Sequence, residues 1–219
     1  MPSLLPVQIV LVGKAPAPGR SKTRLTPPLS PTEAAEVAAA LLTDAVNAVN
    51  ETPVVRRVLA LDGAPGPWLP ADWDLLTQRG HGLGERLCHA ALDAYEALPA
   101  PVLLLVTDTP LLTPALLAQA CGLLLDEEHH AVLGRAPDGG WWTLGMRRPH
   151  PEAFTEVPMS TDHTGRVERE VLERLGMRTA GLPELSDIDV VGDLVAIRPH
   201  LDPASALARV MTGLAAEVA

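Results

Sequence analysis

Aromatic side chains are scarce in this sequence, at 3% of 219 residues, with one Phe, one Tyr and four Trp. The adjacent pair Trp141-Trp142 therefore stands out. Cysteine is scarcer still. Cys88 and Cys121 allow at most one bridge, and a chain of this length can bury a core that does not need it, so a reduced, cytoplasmic protein is expected. No apolar run approaches the roughly 20 residues of a membrane helix. The start, Met1-Pro2-Ser3-Leu4-Leu5-Pro6, lacks the basic stretch and small-residue cleavage site of a secretory signal. Positive charge is in deficit: the net charge is −10 and the pI about 5.1, which argues against nucleic acid as a partner. Lysine is as rare as cysteine. Among 17 cations only Lys14 and Lys22 are lysines, and both fall in one short loop with Arg20 and Arg24. What remains, 47% hydrophobic and 20% charged residues, is the balance of a soluble globular protein, expected as one domain over 1–219.

Val7-Gln8-Ile9-Val10-Leu11-Val12 is a short apolar run ending at Gly13, the pattern of a strand buried on both faces of a parallel sheet. After the cationic loop, Ser30-Pro31-Thr32-Glu33 predicts a helix start with a capping box, and Ala34, Val37, Leu41, Ala45 and Ala48 predict its apolar face. Residues 54–61 read as a second strand, with Arg56-Arg57 as an edge signal. Residues 62–80 read as a Pro- and Gly-rich connection. A helix over 82–98 leads to Val102-Leu103-Leu104-Leu105-Val106, the most apolar strand, which stops at Thr107-Asp108-Thr109-Pro110. Thr113-Pro114 caps a helix to about 125. Short strands follow at 131–134 and 142–146, joined through the turn Asp138-Gly139-Gly140. A helix near 165–175, a strand near 177–182 and helices near 190–198 and 203–217 complete the chain. Alternating strands and helices define an α/β class with a mostly parallel, helix-covered sheet.

Four groups of residues could carry chemistry. The loop Gly13 to Arg24 follows the first strand, where open α/β sheets bind ligands. It is not a P-loop: Gly19 is separated from Lys22 by Arg20-Ser21, and Pro16 and Pro18 lack the N–H groups that would cradle phosphate. Four mutually repelling side chains, Lys14, Arg20, Lys22 and Arg24, instead suit a di- or triphosphate. The plain alternative is a solvated loop. Asp108, delivered by an apolar strand, could hold Mg²⁺ or Mn²⁺ or could simply form a turn. Asp187-Ile188-Asp189 could complete that metal site or cap the following helix. In Asp138-Gly139-Gly140-Trp141-Trp142, one Trp could stack on a base or sugar while the other packs inside. The histidines show no zinc spacing, and no Gly-x-Ser-x-Gly or nucleophilic triad is present.

Taken in order, Lys14-Ala15-Pro16-Ala17-Pro18-Gly19-Arg20-Ser21-Lys22-Thr23-Arg24-Leu25, Leu83-Gly84-Glu85-Arg86, Asp108-Thr109-Pro110, Asp138-Gly139-Gly140-Trp141-Trp142 and Asp187-Ile188-Asp189 resemble a bacterial family of glycosyltransferase-A-like proteins. More distantly the chain is similar to 2-phospho-lactate guanylyltransferase and the molybdenum-cofactor nucleotidyltransferases. The resemblance spans about residues 7–195. It implies the nucleotide-diphospho-sugar transferase fold, a Rossmann-like three-layer α/β/α sandwich. It also implies a donor site formed by Gly13, Lys14, Arg20, Lys22, Arg24 and Gly84, an acceptor side lined by Gly139, Gly140 and Trp141, and a metal held by Asp108 with Asp187 or Asp189. Asp108, Lys22 and Arg24 would be the catalytic centre. The sequence departs from the family at Leu111, where another acid is common, at Met159-Ser160-Thr161, and at Trp141-Trp142 in place of Tyr-Tyr.

The expected function is Mg²⁺- or Mn²⁺-dependent transfer from a nucleotide-activated donor to a small acceptor, as glycosyl transfer. Nucleotidyl transfer with release of pyrophosphate is the alternative. Leu111 motivates a third possibility, a nucleotide-binding module without catalysis. A domain that only binds a partner would leave the lysine-bearing loop without a ligand. The Ala- and Leu-rich C-terminal helix, with Leu207, Val210, Met211 and Leu214, could dock on a twin to form a homodimer or on its own core.

Overall fold

The computed structural model describes residues 3–214. Its centre is a seven-stranded sheet ordered β3-β2-β1-β4-β6-β5-β7. The strands are β1 (Leu5–Lys14), β2 (Val54–Asp62), β3 (Asp74–Thr77), β4 (Val102–Val106), β5 (Ala131–Arg135), β6 (Trp141–Met146) and β7 (Thr179–Leu182). β6 alone runs against the rest, antiparallel to β4 and β5. The helices are α1 (Pro31–Glu51), α2 (Gly82–Ala97), α3 (Pro114–Leu125), α4 (Glu152–Thr155), α5 (Thr164–Arg174), α6 (Val191–Ile197) and α7 (Ala206–Gly213).

The period of two in β1 sorts the layers. Val7, Ile9 and Leu11 face α1 and α3, while Val10 and Val12 face α2, α4 and α5. Both faces are buried, as the continuous apolar run predicts. Cys121 lies in the first layer and Cys88 in the second, so the sheet separates the two thiols and both are free. The capping box of α1 forms as expected: Ser30 Oγ accepts from Glu33 N at 3.2 Å and Glu33 Oε2 accepts from Ser30 N at 2.7 Å. No helix among the described residues is long and apolar enough to cross a membrane.

Two expectations change, and one left open is decided. The 62–80 connection contains a strand, β3, whose Asp74-Leu75-Leu76-Thr77 is too short to show periodicity. β2 is therefore not the sheet's edge. Yet β3 pairs only with Val58 to Leu61, so Arg56 and Arg57 occupy the stretch of β2 with no neighbour on that side. Arg57 turns back to donate to the carbonyls of Val49, Asn50 and Thr52 around the end of α1. The C-terminal helix docks on its own core: Leu207, Met211 and Leu214 are buried with Val37 and Leu41 of α1, and Asp44 of α1 accepts from the N–H groups of Ala206 and Leu207 at 2.7 and 2.9 Å. The expected end of that helix, 215–217, lies outside the described residues.

Candidate functional site

β1 and β4 are neighbours, but the chain leaves β1 toward β2 on one side and β4 toward β5 on the other. Such a divergence opens a crevice at the strands' carboxyl ends, where open α/β sheets place ligands. The cationic loop crosses this crevice. It is pinned by a 3₁₀ turn, Thr23–Leu25, whose Leu25 is fully buried. Next to that anchor Lys22 takes a left-handed conformation, φ 46°. Ser160, at φ 60°, is the other non-glycine residue in that region among the described residues, and it also lines the crevice. Left-handed backbone in a side-chain-bearing residue costs on the order of 1–2 kcal/mol and persists where the surroundings impose it.

Lys22 Nζ donates to Asp108 Oδ2 at 3.2 Å and to the carbonyl of Ile188, and lies 3.6 Å from Asp189 Oδ1. Its side chain is only 13% exposed. Arg24 Nη1 meets Asp189 Oδ2 at 2.6 Å. The 187–189 segment is tied to β4's end by Ile188 N donating to the Asp108 carbonyl at 3.0 Å, and Asp193 Oδ2 accepts from the N–H groups of Asp189 and Val190. Lys14 and Arg20 make no ion pair among the described residues. These four cations line a cavity of about 590 Å³ together with Arg86. The N-terminus of α2 opens on the same cavity and adds the positive end of its dipole.

Asp108, Asp187 and Asp189 each offer a carboxylate oxygen within 4.8 Å of the other two, and all three are half-buried. Burial, and then the charges of Asp138 and Asp108, push the Asp187 carboxyl up to about 6. Carboxylates crowded in this way are relieved by a cation, and an all-oxygen donor set suits a hard divalent ion such as Mg²⁺ or Mn²⁺. The Lys22 ammonium already occupies part of that role.

A second cavity, of about 140 Å³, adjoins the first through Leu83, Val106, Asp108 and Ser160. Trp141 and Gly140 line it. Both tryptophans are buried and line this cavity, but they pack into opposite layers: Trp142 joins the α1/α3 side and donates from Nε1 to the Pro183 carbonyl at 3.0 Å, while Trp141 joins the α2/α4/α5 side. Behind Trp141 lies Glu168 of α5, fully buried with neither oxygen hydrogen-bonded. Burial pushes its carboxyl up to about 8. The Trp141 indole works the other way, without closing a hydrogen bond.

Two glycines expected at ligand surfaces serve packing instead. Gly139, at φ 94°, presses on the chain at Asp162, where a Cβ would lie 1.8 Å from the carbonyl oxygen. Gly84 lets α2 approach the Phe154 carbonyl, which a Cβ would meet at 2.7 Å. Gly13 does line the larger cavity. Sequence reasoning left out Arg86, Gln78, Thr109, Ser160 and Glu168. Arg86 belongs to a quoted motif, and its neighbour Glu85 caps α2 by accepting from His81 N at 2.8 Å. Gln78 joins the ends of β1 and β2 by donating to the Gly13 and Ala60 carbonyls, and it follows the unrecognised β3.

The fold and the crevice together define the nucleotide-diphospho-sugar transferase architecture. A structure from Desulfovibrio desulfuricans assigned as a nucleotide-diphospho-sugar transferase superposes with a TM-score of 0.87 at 22% identity, covering 97% of this chain and 96% of that one. A cytidylyltransferase from Leptospira borgpetersenii gives 0.56 at 13% identity, covering 98% and 97%. A Mycobacterium tuberculosis protein in complex with manganese gives 0.51 at 15% identity, covering 85% and 93%. The chain belongs to the family described as "uncharacterized protein conserved in bacteria" (DUF2064), which matches residues 41–161 and so includes Asp108 and the Asp138 to Trp142 turn. No curated protein matches it.

Proposed function

We propose that the chain is a metal-dependent transferase that takes its group from a nucleotide-activated donor, by glycosyl transfer from a sugar nucleotide to a small acceptor. The observation that carries this reading is the meeting of Lys22 with Asp108 at 3.2 Å and with Asp189 at 3.6 Å, on the wall of a cavity that also holds Lys14, Arg20 and Arg24. Opposite charges converge there as a polyphosphate and its counter-ion require. Lys14, Arg20, Lys22 and Arg24 bind the donor's diphosphate, the arginines as forks and the lysines as point charges. Asp108, Asp187 and Asp189 would hold Mg²⁺ or Mn²⁺, which when bound offsets charge on the phosphates. The likeness to a protein solved with manganese supports this assignment.

In the reaction the bond from the anomeric carbon to the β-phosphate oxygen breaks, and its electron pair leaves on the nucleoside diphosphate. The acceptor's hydroxyl oxygen bonds to that carbon and its proton is released. The protein's part is to align the two ends and to spread the leaving charge over Arg20, Arg24 and Lys22. A second reading, nucleotidyl transfer with loss of pyrophosphate, draws on the likeness to the cytidylyltransferase. Products separate the two: a nucleoside diphosphate in one case, pyrophosphate in the other. Binding without either product would mark an inactive module.

Calorimetry with UDP, GDP, CDP and their sugar derivatives, with and without Mn²⁺, tests the reading. Metal-dependent binding of at least one is expected. The double substitution Lys22→Ala with Arg24→Ala should weaken it by about tenfold or more, given the worth of charge-assisted contacts. Absence of metal-dependent binding by every nucleotide sinks the proposal.

A further inference from the structure

The two adjoining cavities differ in kind. The larger is cationic. The smaller has three carboxylates in its wall, Asp108, Asp138 and Asp187, and no Lys, Arg or His. The rest of the wall is mostly apolar, including Leu87, Met159 and the face of Trp141. One buried polar group of the lining residues, Thr109 Oγ1, finds no partner within the protein, whereas the Trp141 indole N–H acts on Glu168 behind it. Lys22 and Arg24 already pair with Asp108 and Asp189, and a divalent ion shared with Asp187 would offset the rest of that trio, which leaves Asp138 as the carboxylate of this wall with no cationic partner among the described residues.

We infer that the smaller cavity is built for a hydroxyl-bearing ring that carries no negative charge, laid against Trp141, and that it rejects phosphate- and carboxylate-bearing molecules. This rests on the transferase reading above and narrows it. An apolar face with a few placed polar groups is how small-ligand sites fix orientation, and like charges across such a wall discriminate strongly. A volume of about 140 Å³ against about 590 Å³ assigns the ring to the small cavity and the nucleotide to the large one. The inference also weighs against phosphate-bearing acceptors, and so against nucleotidyl transfer to a phosphate. The ring could be the donor's own sugar or a free acceptor, with the same chemistry in either case.

Calorimetry of the full chain with Mn²⁺ and each nucleoside diphosphate comes first, since it reads the donor site without any sugar. Methyl α-D-glucopyranoside, methyl α-D-mannopyranoside and methyl α-D-galactopyranoside are then titrated in parallel with the corresponding hexose 6-phosphates and uronic acids. Binding is followed by Trp emission and calorimetry. Sugar nucleotides compared with their nucleoside diphosphates report the donor's sugar, and free glycosides added to the diphosphate complex report an acceptor. At least one uncharged ring should bind about tenfold or more tightly than its anionic counterparts. Asp138→Asn, which keeps an acceptor for Gly140 N, should narrow that gap by raising affinity for the anionic members more than for the uncharged ones. An anionic member bound more tightly than its uncharged partner, or no uncharged ring bound at all, overturns the inference. If no nucleotide binds, the transferase reading fails alone. The ring panel, run with Mn²⁺ only, is then expected to show the same preference.

Discussion

Glu168 is the residue whose environment departs furthest from what its chemistry prefers. It is sealed beneath Trp141 without a hydrogen bond, and burial lifts its carboxyl to about 8. The folded protein therefore keeps a proton that the unfolded chain releases above about pH 4.5. Stability must fall as pH rises from there toward 8. At about 1.4 kcal/mol per pH unit the loss between pH 5 and 7 is on the order of 3 kcal/mol. Glu168→Gln removes the titrating group and should flatten this slope, which urea unfolding at several pH values would show. Equal slopes in the two proteins would contradict the assignment. Nothing in the sequence marks Glu168: Arg166-Val167-Glu168-Arg169-Glu170 reads as a solvated helical face, and only packing of α5 under Trp141 buries it. Lys22 is the opposite case. Its rarity in an arginine-rich chain singles it out from composition alone, and the structure pairs it with Asp108.

Among the elements, the β5–β6 hairpin shows how a legible motif can carry an unexpected duty. The Asp-Gly-Gly turn was readable, and Asp138 Oδ1 does accept from Gly140 N at 2.8 Å. What could not be read is that Gly139 sits against the carbonyl of Asp162, since that contact joins segments far apart in the chain. Gly139→Ala combines a strained φ of 94° with a backbone clash, and should cost at least about 2 kcal/mol. The displaced segment carries Met159, Ser160 and Thr161, all in the smaller cavity's wall. Ring affinity should drop more than nucleotide affinity, a split that paired calorimetric titrations would reveal. The starts of α1 and α3 were the most legible, because Ser30 and Thr113 each cap locally, whereas α7, expected from about 203, begins at Ala206 behind a Ser205 cap. β3 was the least, since four residues carry almost no period and its pairing with β2 is long-range.

At the scale of the whole molecule, α7 closes the fold by covering α1. Leu207 is fully buried there, so Leu207→Ala should cost about 2–5 kcal/mol. If α7 served a twin instead, the loss would depend on protein concentration. Unfolding midpoints of both proteins measured over a wide concentration range should therefore shift in parallel or not at all. Strand order is the other molecular property, and alternation of elements does not contain it. The insertion of antiparallel β6 between β4 and β5 depends on which edges are free when the sheet assembles.

The chain's α/β class, most of its helices and strands, and the identity of its cationic loop and three aspartates were determined by the sequence itself. Apolar period, caps and charge placement act over a few residues and are written in order. Which face each helix covers, the burial of Glu168, the role of Gly139 and the contrast between a cationic and an anionic cavity were decided only by tertiary structure. Each depends on side chains from distant segments meeting in a low-dielectric interior, where the cost of an unpaired charge is set by its neighbours in space and not by those in sequence.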